Sequence, residues 1–207
     1  MTLAQTMCAN KLSMIPAERL EALAIVARPI ADLVGALVEC GSWNGGSAAL
    51  LASAAYRPGR HVWLFDSWEG MPEPGERDGG RALGRYKRLA GNFCVGDMSR
   101  VSGAFWQAGV IDNTLHIRKG WFQDTLPLAA REIGKIALLH IDADWYDSVA
   151  ICLRVLYPQV KKGGLVIIDD YGHWPGCRLA VDEYFSKAPV DLLSVDYTSR
   201  YFFKETK

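Results

Sequence analysis

Leu37-Val-Glu-Cys-Gly-Ser-Trp-Asn-Gly-Gly-Ser47 carries the first decision about the fold. An apolar run ends in an acid, a cysteine and a glycine, a glycine-rich turn follows, and Ala48-Ala-Leu-Leu-Ala-Ser-Ala-Ala55 continues with helix formers. That order reads as strand, tight loop, helix. Four further runs repeat it: His61-Val-Trp-Leu-Phe-Asp66, Thr114-Leu-His-Ile-Arg-Lys-Gly120, Ile136-Ala-Leu-Leu-His-Ile-Asp142 and Gly164-Leu-Val-Ile-Ile-Asp169. Each closes on an acid or a glycine, and the last is entered through a turn at Lys161-Lys-Gly-Gly164. Near-continuous apolar runs indicate strands covered on both faces, hence a parallel sheet between helix layers.

Helices fill the gaps. Residues 16–34 carry Leu20, Leu23, Ala24, Ala27, Ile30 and Ala31 at helical spacing, and residues 148–157 and 175–187 read the same way. Pro16 and Pro175 suit first-turn positions. The last two runs, Asp191-Leu-Leu-Ser-Val195 and Arg200-Tyr-Phe-Phe-Lys204, are joined by a link too short for a crossover, so they form an antiparallel hairpin. The expected fold is α/β: a doubly wound, Rossmann-like, mostly parallel seven-stranded sheet with a C-terminal antiparallel hairpin, the layout of class I methyltransferases. A chain of 207 residues suits one domain over 1–207, with an N-terminal helical region at 1–34 and a Gly- and Pro-rich, then basic, insert at 69–91 that suits a lid.

Charge and composition exclude several classes. Lys and Arg number 23 against 23 Asp and Glu, which argues against a protein held to nucleic acid or to an anionic membrane mainly by electrostatics. No basic start precedes an apolar run and no 18-residue apolar segment occurs, so neither a secretory signal nor a membrane span is expected. Five cysteines, none at C-x-x-C spacing, argue against structural zinc or a disulfide framework. The expected location is the cytoplasm.

In an open parallel sheet, ligands bind at the carboxyl ends of the strands. Gly41, Gly45 and Gly46 do not fit G-x-G-x-x-G, which weakens a dinucleotide reading. Glu39, directly before this loop, suits the cationic amino-acid part of S-adenosylmethionine; an ordinary glycine turn is the alternative. Asp66 can accept hydrogen bonds from two ribose hydroxyls, or simply cap a turn. Gly120 lets a flat ring approach and Trp121 can flank it, unless Trp121 is core. Five of the 14 aspartates fall between 142 and 170, in Asp142-Ala-Asp-Trp-Tyr-Asp147 and Asp169-Asp170. Carboxylates gathered in this way raise one another's pKa unless a cation offsets them, and hard oxygens suit Mg²⁺; helix capping is the alternative, strongest for Asp147. His173 is a candidate base or acceptor contact. Trp43, Trp121, Trp145 and Trp174 fall at strand-end loops and could line an aromatic mouth. Arg77, Arg81, Arg85, Lys87 and Arg88 read as a solvated helix face.

Six ordered segments resemble the macrocin O-methyltransferase family: residues 38–47, Leu64-Phe-Asp-Ser-Trp-Glu-Gly-Met-Pro-Glu-Pro74, Lys119-Gly-Trp-Phe-Gln-Asp-Thr-Leu-Pro127, Ile141-Asp-Ala-Asp-Trp-Tyr-Asp-Ser148, Gly164-Leu-Val-Ile-Ile-Asp-Asp-Tyr-Gly172 and Trp174-Pro-Gly-Cys-Arg-Leu-Ala-Val-Asp182. The resemblance implies S-adenosylmethionine as methyl donor, Mg²⁺, and a sugar hydroxyl of a glycosylated natural product as acceptor. It implies Asp142, Asp169 and Asp170 as metal ligands and Asp144 as general base. Glu39, Gly41, Asp66, Gly120 and Trp121 would hold the donor, with Ser42, Ser47, Ser67 and Asp142 completing the candidate set. It also implies a homo-oligomer, and neither nucleic acid nor membrane as partner. Ala143 stands where the family usually has glycine, and the N-terminal stretch is short. The competing readings are a catechol-type Mg²⁺-dependent O-methyltransferase, a nicotinamide-dependent dehydrogenase and a non-catalytic S-adenosylmethionine-binding module.

Overall fold

A computed structural model describes residues 1–111 and 114–205. Its centre is a seven-stranded sheet: β1 (Ala36–Cys40), β2 (His61–Asp66), β3 (Thr114–Lys119), β4 (Ile136–Ile141), β5 (Val160–Ile168), β6 (Leu193–Ser194) and β7 (Arg200–Phe203), in the order β3-β2-β1-β4-β5-β7-β6. The first five strands run parallel, and β7 pairs antiparallel with both β5 and β6. Strand order therefore reverses between β1 and β4, the point at which an open α/β sheet leaves a crevice for ligands.

The helices are α1 (Leu3–Ala9), α2 (Ala17–Ala27), α3 (Gly46–Ala54), α4 (Gly79–Arg88), α5 (Val101–Gln107), α6 (Phe122–Ile133), α7 (Tyr146–Leu156) and α8 (Pro175–Phe185). Alternate side chains of the buried strands feed two cores. Val38, Cys40, Trp63 and Phe65 pack with Leu126, Leu153 and Val181 of α6, α7 and α8. Leu37, Val62, Leu64 and Leu138 face Met7, Leu23, Leu51 and Phe105 of α1, α2, α3 and α5. Among the described residues, no helix is long and apolar enough to cross a membrane.

The expected class and hairpin are present, and several local expectations differ. The 161–164 stretch is not a turn before β5 but lies within it: Val160 pairs with Ile136, and the register then shifts so that Leu138 meets Leu165. Gly163, at φ +74°, and Gly164 exchange backbone hydrogen bonds with Lys204, which keeps the bulged strand in the ladder. The first long helix stops at Ala27 and tightens into a 3-10 turn over Arg28–Asp32, because Pro29 has no N–H to continue the ladder. Pro16 precedes α2, whereas Pro175 occupies the first turn of α8. β3 is an edge strand, half-buried rather than covered on both faces. The helix read from the basic stretch of the 69–91 insert is present as α4, which forms despite Gly79, Gly80 and Gly84 and begins after Arg77.

Candidate active site

The carboxyl ends of the parallel strands are tied together by backbone bonds. Gly41 N–H donates to Phe65 O (2.8 Å), Asp142 N–H to Cys40 O (2.9 Å), Asp169 N–H to Ile141 O (3.0 Å) and Gly120 N–H to Asp66 O (2.9 Å). The strand tips thus form one shelf under a cavity of about 670 Å³, within the size range of small-molecule sites. Gly41, Asp66, Ser67, Gly120, Trp121, Asp142 and Asp144 all line it. Gly41 has φ +90°, and a Cβ there would overlap the Asp142 carbonyl oxygen, so only glycine lets β1 and β4 end side by side.

Asp66 accepts from Trp43 N–H (2.8 Å) through one oxygen and from Trp68 N–H (2.7 Å) through the other. Both tryptophans hold left-handed backbone, at φ 44° and 53°. The carboxylate therefore pins two strained loops at the mouth while facing the cavity. Ser67 is buried, its hydroxyl donating to Gly70 O. Ser42 and Ser47 are also buried and do not line the cavity. Trp43, Trp121 and Trp145 line it, whereas Trp174 stands behind Asp144.

Glu39 differs most from its expected place. The β1–β4 register sets it opposite His140, and its Oε1 lies 2.8 Å from His140 Nδ1, both side chains being fully buried. It supports the shelf from within the sheet and does not itself line the cavity, while its Oε2 is buried without a partner. Nothing in the linear sequence links two residues 101 positions apart; the parallel register does. Replacing His140 with Leu keeps volume but strands the buried carboxylate. Urea denaturation is expected to show a loss of about 3–5 kcal/mol, and a loss under about 1 kcal/mol would show that Glu39 does not depend on this partner.

The acids divide in a way that spacing does not reveal. Asp142, Asp144 and Asp170 each offer a carboxylate oxygen, all within 4.8 Å of one another. Asp169 has a further partner: its Oδ2 lies 2.7 Å from Arg19 Nη1, and Arg19 Nε reaches Asp196 Oδ2 at 2.7 Å. Of the expected Asp142, Asp169 and Asp170 set, Asp142 and Asp170 meet with Asp144, whereas Asp169 spends one oxygen on Arg19 and keeps the other, Oδ1, buried without a partner, because a buried carboxylate takes the strongest cation within reach. Asp147 is exposed in the first turn of α7, where its charge suits the helix terminus.

Asp144 sits at φ 51°, and its Oδ1 accepts from Trp174 Nε1–H at 2.7 Å. Burial pushes its carboxyl up to about 7, against the pull of that indole N–H and of Arg85. Burial and the neighbouring acids also push Asp142 and Asp170 well above the carboxylate range. The folded state thus binds more protons here than the unfolded chain, so these acids stabilise the fold at low pH, and Asp144 loses its contribution as pH rises from about 4 through 7. In EDTA, Asp144→Asn is expected to melt above the wild type at pH 8, with the difference closing toward pH 5. A difference that does not vary with pH would contradict the raised carboxyl.

His173 does not stand beside the acids. Its Nε2 is 3.0 Å from Arg81 Nη2, its Nδ1 is 3.0 Å from Tyr197 Oη, and its ring meets Trp174 edge-on. Partial burial and Arg81, Arg85 and Arg19 lower its pKa. The basic stretch is likewise not wholly a solvated face: Arg77, Arg81 and Arg85 lie over the rings of Tyr146, Trp174 and Phe93. Arg19, His140 and these three orientations escape a linear reading, since each depends on a partner from a distant segment.

Residues 3–204 match the family model described as macrocin O-methyltransferase (TylF). The chain is 34% identical over 203 residues to demethyldecarbamoylnovobiocin O-methyltransferase of Streptomyces niveus, covering 94% of this chain and 76% of that protein. It is 31% identical over 178 residues to mycinamicin III 3''-O-methyltransferase of Micromonospora griseorubida, covering 81% and 68%. The solved O-methyltransferase NovP superposes with a TM-score of 0.81 at 32% identity, over 94% of this chain and 83% of that one. With residues 3–204 matched by that family model, this chain belongs to the macrocin O-methyltransferase family.

Proposed function

We propose that this single-domain enzyme moves a methyl group from S-adenosylmethionine to a sugar hydroxyl of a glycosylated natural product, with Mg²⁺ in the acid set and the 69–91 segment as lid. The observation that carries this reading is the meeting of Asp142, Asp144 and Asp170 beside the cavity at the reversal of strand order. The residues fit both groups. Three carboxylates within one coordination span, Asp170 Oδ2 being buried without a partner, form a hard oxygen set for a divalent cation. The glycines at 41 and 120 leave backbone open to a flat ligand, and Asp66 retains lone pairs for ribose hydroxyls.

Asp142 and Asp170 would hold the ion, since Mg²⁺ usually takes one or two carboxylates and keeps its other positions for water and substrate. When bound, the ion supplies Lewis-acid polarisation of the acceptor hydroxyl, and the donor supplies an electrophilic methyl. Asp144 accepts the hydroxyl proton at the carboxylate oxygen that does not face Trp174, and the Trp174 N–H fixes its orientation. The walls around Trp43, Trp121 and Trp145 exclude water and align the two substrates.

Labelled methyl transfer from S-adenosylmethionine to a panel of glycosides and catechols tests the reading, with EDTA and with Mg²⁺ restored. Transfer to a glycoside that EDTA removes and Mg²⁺ restores is expected. Transfer to catechols alone would favour the aromatic-diol reading, and transfer indifferent to EDTA would remove the metal from it.

A further inference from the structure

Next to the main cavity lies a second groove of about 480 Å³, and Arg77 lines both. Its floor includes Tyr171, His173 and Trp174, and Arg178 lines it as well. Arg178 lies 5.3 Å over the Tyr171 ring, and Arg81 lies 5.1 Å over Trp174 with one nitrogen on His173. Among the described residues, neither Arg81 nor Arg178 makes an ion pair with a carboxylate, and Arg77 meets only exposed Glu183 at 3.7 Å. The one acid lining the groove, Asp182, accepts from Tyr171 Oη–H at 2.7 Å.

Arg81 and Arg85 follow at a four-residue interval on α4, a spacing at which like charges destabilise a helix. Aromatic faces hold them in place, which reduces the entropy lost when they close on a ligand. Arg77 and Arg178 line the groove and Arg81 adjoins it through His173 and Trp174, so cations border flat walls beside the proposed base, to which Trp174 is directly hydrogen-bonded.

We infer that this groove is an oxyanion subsite of the acceptor: Arg81 and Arg178 grip a phosphate or carboxylate group carried by the acceptor beyond the hydroxyl to be methylated. The inference rests on the functional reading above and narrows it to acidic acceptors. A phosphate ester of an activated sugar and a carboxylate on an aromatic aglycone share this chemistry.

Calorimetric titration of the full chain with phenyl phosphate, benzoate and neutral phenyl glucoside, each with and without S-adenosylhomocysteine, provides the test. At least one anionic probe is expected to bind more tightly than the glucoside. The R81Q/R178Q variant is expected to weaken that probe by about tenfold or more, the scale of a lost charge-assisted contact. The exposed control R88Q is expected to stay within about twofold, as solvated surface charges do. Preference for phenyl phosphate identifies a phosphate source, and preference for benzoate a carboxylate. Equal affinity for all three probes, or an R81Q/R178Q variant that binds as the wild type does, overturns the subsite. Failure of S-adenosylhomocysteine itself to bind would count against the donor reading while leaving the probe result standing.

Discussion

Asp142→Ala is expected to lower methyl transfer by about 10³-fold, the scale of losing several kcal/mol of Lewis-acid stabilisation. The side chain is one of the two carboxylates proposed to hold the ion, and its neighbours are each partly engaged, Asp169 through Oδ2 with Arg19 and Asp144 through Oδ1 with Trp174. The backbone role of the residue survives the change, because its N–H bonds to Cys40 O and its carbonyl packs on Gly41 whatever the side chain. S-adenosylhomocysteine binding should therefore persist. The melting temperature in EDTA should hold or rise, since one of several mutually repelling acids is gone. Single-turnover transfer and calorimetry on the same preparation check both halves. Activity within tenfold of wild type, or loss of donor binding in parallel with activity, would place Asp142 outside the metal role.

For Asp144→Asn, the expected loss is about 10²–10⁴-fold in rate with divalent-cation affinity largely kept, the range of general base catalysis. Asparagine can still accept the Trp174 N–H through its amide oxygen, so the loop keeps its orientation, but it cannot take a proton. The wild-type rate should also rise with pH through about 7, where Asp144 ionises, and the ion should move that midpoint down. Rates at high pH compared between wild type and variant, together with Mn²⁺ titration, separate proton removal from metal binding. A variant that keeps the wild-type rate would pass the base role to solvent. His173 is poorly placed to take it, since the structure sets it against Arg81 and Tyr197 rather than the acid set.

The layout was readable in the chain because strands covered on both faces are written as short local apolar runs. β2 begins and ends where His61-Val-Trp-Leu-Phe-Asp66 does, and β4 begins at Ile136 as expected and ends at Ile141, one residue before Asp142. Boundaries failed where a distant segment supplied the missing hydrogen bonds, as Lys204 does for the bulge at Gly163 and Gly164. The site divided in the same way. Gly41, Asp66, Gly120, Trp121, Asp142 and Asp144 were legible because the end of a parallel strand is both a sequence position and a place in the cavity.

What the sequence by itself determined is the sheet, the order of its strand-end motifs and the family to which they point, all encoded in windows of about ten residues. Only the tertiary structure decided which carboxylate meets which cation. Asp169 and Asp170 are neighbours in the chain, yet one faces Arg19 from α2 while the other faces Asp142 and Asp144. Glu39 is set against His140 by the β1–β4 register, a pairing that no local window of sequence contains. The reason is physical: apolar periodicity acts along the chain, whereas the pairing of a buried charge is settled by whatever residue packing brings within about 3 Å.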